Sequence, residues 1–206
     1  MAILSTIGIL VVTILVSEVA VLEQKSDICT YYDAICNNVT KDPFFEDKAV
    51  IGKPWRVYFT WNMQLDEYCL EFTFKYADKL TVSRLKIDVE NMKIKPPLSK
   101  EVLLISMIAS PDMLLFNDLS GIPGLFVGMI YDTVENKKMP KKPHKMAMKL
   151  LHKGQYLLMT DCSFGTTSLS VRKDNRPKRA EIEAVAVNFT LGEPFPACIM
   201  DKDSEE

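Results

Sequence analysis

An all-β fold made of many short strands is predicted for this chain, on three observations. From Trp55 onward the dominant hydrophobic rhythm has period two, Gly, Pro, Asp and Ser residues break it at short intervals, and the candidate strands follow one another closely. Strands of this kind make a sandwich or a barrel, and neighbours in sequence point to an up-and-down arrangement.

The first of the 206 residues stand apart from that rhythm. Residues 1–17 carry no charged side chain, and Ile, Leu and Val dominate residues 2–16. An apolar core of this length suits a signal peptide and falls short of the roughly 20 residues that a membrane-spanning helix needs. Cleavage near Ala20 leaves residues 21–206 as a single domain with a sizeable core, secreted and without stable membrane insertion. Lys and Arg total 25 against 27 Asp and Glu, so no strong net field selects nucleic acid or a membrane surface.

All five cysteines, Cys29, Cys36, Cys69, Cys162 and Cys198, follow the apolar leader. In an exported chain they read as two disulfides and one leftover thiol or intermolecular bond. Their wide spacing and the two histidines exclude a zinc cluster, and no metal site is expected. Asn38-Val39-Thr40 and Asn188-Phe189-Thr190 are glycosylation sequons and agree with export.

In the first candidate strand Trp55, Val57 and Phe59 alternate with Arg56, Tyr58 and Thr60. In the second, Tyr68, Leu70, Phe72, Phe74 and Tyr76 share an apolar face opposite Glu67, Cys69, Glu71, Thr73 and Lys75. Residues 80–90 change parity between Val82 and Leu85, which predicts a long strand bulged near Ser83-Arg84. Further strands are expected at 102–108, before the Ser110-Pro111-Asp112 break, and at 125–131, after Gly121-Ile122-Pro123-Gly124. Residues 145–151, 156–161, 166–172 and 181–189 complete the set, and no helical stripe stands out. In the last strand a glycan on Asn188 must face solvent, which turns Val185, Val187 and Phe189 inward and Ala184 and Ala186 outward.

Residues 44–57, running from Phe44-Phe45 through Gly52-Lys53-Pro54-Trp55, resemble the helical turn and Gly-x-Trp strand that open the lipocalins, with one extra residue before the Trp. Glu67-Tyr68-Cys69-Leu70-Glu71-Phe72-Thr73-Phe74 is similar to the cysteine-bearing second strand of insect pigment-binding lipocalins. Thr160-Asp161-Cys162 resembles the family's Thr-Asp-Tyr after its sixth strand. The resemblance covers residues 44–198 and implies an eight-stranded antiparallel up-and-down β-barrel, lipocalin or calycin-like. The chain departs from the family in three respects. The C-terminal helix is short or absent, reduced to residues 191–201. No Arg after Phe189 is available to pack over the motif Trp. Three strand candidates (102–108, 125–131, 145–151) stand where the family has two.

The resemblance also implies that Cys69 bonds Cys198. Parity agrees, because Cys69 lies on the polar face of its strand, where a C-terminal segment could cross the wall. Likewise it implies a bond from an N-terminal cysteine, Cys36 or Cys29, to Cys162.

Eight strands leave room for one small molecule. The inward set is Trp55, Val57, Phe59, Leu70, Phe72 and Phe74 with Val185, Val187 and Phe189; core filling is the alternative for each, and Trp55 is expected to be structural. Met107, Met129, Met146 and Met148 make an adaptable lining or plain core. The expected function is a secreted carrier of a small hydrophobic molecule such as a pigment, lipid, retinoid or amine. The alternative is a protein-binding scaffold, a protease inhibitor or antagonist in the manner of triabin-like lipocalins, acting through a long loop at 109–145.

Lys137, Lys138, Lys141, Lys142, His144, Lys145 and Lys149 cluster locally and read as a solvated stretch ahead of an anion-greeting loop. His144 and His152 read as surface or structural residues ahead of haem ligands. No nucleophile elbow, phosphate loop or metalloprotease motif occurs, so an enzyme is not expected and no cofactor is assigned.

Overall fold

The computed structural model describes residues 34–42, 44–65, 69–93, 101–107, 111–118, 120–131, 143–175, 177–189 and 191–198. The leader, Cys29, the acidic tail and Lys137, Lys138, Lys141 and Lys142 lie outside them.

Eight strands form a closed antiparallel up-and-down barrel: β1 (Pro54–Trp61), β2 (Glu71–Tyr76), β3 (Leu103–Met107), β4 (Asp112–Asn117), β5 (Leu125–Tyr131), β6 (His144–Leu151), β7 (Tyr156–Asp161) and β8 (Thr166–Arg172). Each strand from β2 to β8 pairs with the next, and β1 joins β8 to β2 to close the ring. Residues 34–40 are helical (α1); Asp47–Val50 (α2), Lys79–Asn91 (α3) and Arg179–Ala186 (α4) follow.

Two expected strands are helices. Residues 80–90 belong to α3, which starts on the Asp78 carboxylate accepting from the Thr81 N–H at 2.8 Å. The apparent bulge is a change of period: Val82, Leu85, Val89 and Met92 recur at helical spacing and pack on Leu104, Leu114, Phe116 and Met129 of the outer wall. Residues 181–186 belong to α4, where Ile182, Val185 and Ala186 are buried, and Phe189 packs beside them after the helix ends. Ala186 is therefore buried against the outer wall, and Val187, expected to face inward, is exposed. Conversely β4 begins where Pro111-Asp112 reads as a break, because Pro is tolerated just ahead of a strand. With two candidates removed and one added, the count of eight closes. The supposed 109–145 loop contains β4 and β5, and of its connecting segment residues 132–142 lie outside the described ones.

The wall is apolar on both sides. Inside lie Trp55, Phe72, Phe74, Ile105, Leu115 and Leu157. The outer face of β6, β7, β8 and β1 carries Ala147, Leu158, Leu169 and Trp61, covered by α1 and α4. Burying a strand on both faces turns alternation into a continuous apolar run, as at 102–105 and 156–158.

One extra residue in β1 reverses its facing. Val57 pairs with Ser170, but Phe59, not Tyr58, pairs with Leu169. Beyond this bulge Phe59 and Trp61 point to the outer wall and Thr60 points in. Past Val57 the first two strands also part company. A short ninth strand, β9 (Phe195–Pro196), pairs with Phe59 and Thr60 on the vacated edge, and the Ala197 N–H donates to the Tyr58 carbonyl. The C-terminal segment is thus a patch in the barrel wall. It is held by a disulfide between Cys198 and Cys69, 129 residues apart, with Cα atoms 4.6 Å apart. A second disulfide, Cys36–Cys162, ties α1 to the end of β7. The N-terminal partner left open between Cys29 and Cys36 is Cys36.

On the outer face, Glu71 pairs across the β1–β2 register with Arg56 at 2.7 Å and reaches Lys173 at 2.9 Å. The Lys173 ammonium, and then the Arg56 guanidinium, hold its carboxyl below the ordinary value of 4.5, with partial burial opposing. A carboxylate depressed on folding stabilises above its unfolded pKa and loses that contribution as pH falls through the folded value. Acid unfolding followed by circular dichroism should therefore show wild-type stability declining below about pH 4.5, and Glu71→Gln should flatten that decline while lowering stability at neutral pH.

Candidate functional site

The bore has a sealed end and a looser one. At the sealed end Trp55 is fully buried, and its indole N–H donates to the Val50 carbonyl of α2 at 3.2 Å. Arg172 at the end of β8 lies 5.6 Å from the Trp55 ring centre and donates to the Ala49 carbonyl at 2.6 Å. This is the Arg that the resemblance implied over the motif Trp; it precedes α4 because β8 is Thr166–Arg172 and the segment after it is the C-terminal helix. Phe45 and Phe126 meet edge to face at 5.2 Å beside this plug. The Tyr76 hydroxyl donates to Asp47 at 2.6 Å and tethers α2 to β2, which pushes its phenol up to about 12.

Toward the other end the packing loosens. Phe74 and Leu157 have no more than 1% exposure, whereas Leu65, Leu70, Met107, Met113 and Met159 pack on the same inner cluster and are only partly buried. Met146 and Met148 complete this sulfur-rich lining. Gly128 lets these side chains pack close to the wall: a Cβ there would lie 2.9 Å from Met146 Cγ and 3.1 Å from Met113 Sδ.

One strip of the bore is polar. Ser170 pairs with Val57 and Leu157, and Ser168 pairs with Thr60 and Met159, so these hydroxyls face inward beside apolar neighbours. Thr60 donates to the Met63 carbonyl. At the mouth, Asp161 lies opposite Met146, on the inner face. It accepts from His144 Nδ1 at 2.8 Å and from the Ser163 N–H at 2.8 Å. The His144 ring also lies 5.3 Å from Phe164.

Of the predicted inward set, Trp55, Val57, Leu70, Phe72 and Phe74 belong to the inner cluster, and Trp55 forms the plug. Phe59 lies on the outer wall because of the β1 bulge; Val185 lies there because it rides on α4, and Phe189 follows just after that helix. Val187 faces solvent. Met129 sits under α3, while Met107, Met146 and Met148 are inside. Met113, Met159, the Ser168–Ser170 strip and the His144–Asp161 pair were not singled out. The alternation Ser168-Leu169-Ser170-Val171 was the available signal, since its apolar face meets α4 and leaves the hydroxyls for the bore. Asn38 and Asn188 are both exposed. Of the basic cluster, Lys145 is exposed and Lys149 half-buried. His152 stands at the opposite end of β6 from His144, and among the described residues no group of His, Cys, Asp and Glu could hold a metal. Also among them, no helix is long and apolar enough to cross a membrane.

A plugged up-and-down barrel with an apolar interior and a helix after its eighth strand has a lipocalin-like architecture. Among solved structures, the chain is similar to the amine binding protein of Rhodnius prolixus in its tryptamine complex, with 14% identity, a TM-score of 0.40, and coverage of 78% of this chain and 88% of that one. No protein-family model and no curated protein sequence matches the chain.

Proposed function

We propose that the chain is an exported carrier, released by cleavage near Ala20 as a single domain, that holds a small, largely apolar molecule in the upper half of its barrel. The observation that carries this reading is the burial gradient along one apolar surface, from the sealed Trp55 plug to the half-covered Met107, Met113 and Met159. A core built only for packing is buried throughout, whereas apolar side chains left half covered inside a wall suit a guest. Two disulfides and the exposed Asn38 and Asn188 support secretion and glycosylation. The protein-binding alternative rests on residues 109–145, of which Asp112–Asn117 and Leu125–Tyr131 are strands β4 and β5 and 132–142 lie outside the described residues.

The test is titration of the purified secreted protein with retinol, a fatty acid, a bilin and an arylalkylamine, read by fluorescence and native mass spectrometry. At least one is expected to bind in the micromolar range, and binding of all four no tighter than about millimolar overturns the reading. Gly128→Val, which drives a side chain against Met146 and Met113 and displaces them, should weaken that binding at least tenfold. Met129→Leu, on the outer wall, should leave it unchanged.

A further inference from the structure

Three buried side-chain atoms among the described residues have no hydrogen-bond partner: Trp61 Nε1, Arg172 Nε and Ser170 Oγ. Two of these have a place outside the bore's recognition surface. Trp61 lies on the outer wall against Phe189, at 6.0 Å between ring centres. The Arg172 guanidinium is held at the plug by the Ala49 carbonyl and the Trp55 ring. Ser170 is different. Its register partners Val57 and Leu157 both belong to the inner cluster, so its hydroxyl is aimed into the bore. The residue is fully buried.

A buried hydroxyl without a partner carries a desolvation cost that an apolar side chain of similar size would avoid. The neighbouring strand layer does not relieve it, since Leu157 and Val57 offer only hydrocarbon. One step toward the mouth, Met159 is half covered, whereas Ser170 is fully buried, so a guest reaches its hydroxyl by displacing the side chains above this layer.

We infer that Ser170 Oγ is the deep anchor of the binding site, and that the ligand is an amphipathic small molecule, an apolar body with one hydrogen-bonding group (hydroxyl, amine or carbonyl) at its leading end. The inference rests on the carrier reading and narrows it, because an all-hydrocarbon guest would leave Ser170 unpartnered.

The experiment compares 2-naphthol with 2-methylnaphthalene, near-equal in shape, each displacing N-phenyl-1-naphthylamine from the wild type and from Ser170→Ala. The expected result is a loss of about 5- to 10-fold for 2-naphthol in the variant, the span of one neutral hydrogen bond, with 2-methylnaphthalene unchanged or tighter. Equal effects on the two probes, or none on either, overturn the anchor while leaving the barrel a binder of apolar molecules. A wild type that binds neither naphthalene nor the displaced dye sinks both readings. Thermal unfolding of the ligand-free variant supplies a readout that a structural hydroxyl would move. Its Tm should equal or exceed that of the wild type, and a fall of several degrees would mean that the hydroxyl serves the protein itself, which also overturns the anchor.

Discussion

Replacing Cys69 and Cys198 together with serine should cost about 4–5 kcal/mol of stability, the largest effect expected for any small change in this protein. The two residues are 129 positions apart, and closing so long a loop removes much of the unfolded chain's freedom. The bridge also has a local task. It holds the tail that patches the wall where β1 leaves β2, with Ala197 buried in the inner cluster. Urea unfolding should show the midpoint falling by roughly 2 M, given slopes of 1–3 kcal/mol/M for a chain of this size. Ligand affinity should fall with it, because a loosened tail opens the side of the bore. A midpoint within a few tenths molar of the wild type would mean that the tail does not seal the barrel.

Trp55→Ala is expected to cost about 3–5 kcal/mol, the range for deleting a fully buried large aromatic. The loss exceeds simple burial, because the indole also donates to the Val50 carbonyl and lies against the Arg172 guanidinium. Trp55→Phe keeps most of the apolar surface and gives up the N–H, so about 1–2 kcal/mol is expected. Trp61 remains in both variants as an emission reporter on the outer wall. Equilibrium unfolding that places Trp55→Ala within about 1 kcal/mol of the wild type would refute the plug.

How far such a site can be read from residues alone is clearest at β1. The alternation of Trp55, Val57 and Phe59 assigns all three inward, and two of them are. The third lies across a one-residue bulge, and a shift of one residue exchanges every later side chain between faces. Nothing local in Arg56-Val57-Tyr58-Phe59 announces that shift; it is set by pairing with β8 on one edge and β9 on the other. The segments at 80–90 and 181–189 teach a related lesson. Their β-branched and aliphatic residues suit a strand as well as a helix, and each helix is fixed by the apolar outer wall it covers. Ser170 is hidden in the sequence for the same reason: a small hydroxyl in an alternating strand ordinarily faces water, unless a helix takes the other side.

The order of residues by itself determined the all-β character, most of the strands that close the ring and the cysteine that meets the tail. These follow from period, turn residues and composition, which are properties of neighbours along the chain. Only the tertiary structure decided which face of each strand became the bore, which apolar runs coiled into helices, and that the last residues complete the wall. Those outcomes depend on contacts between segments distant in sequence, where one inserted residue or one covering helix reverses what is inside and what is out.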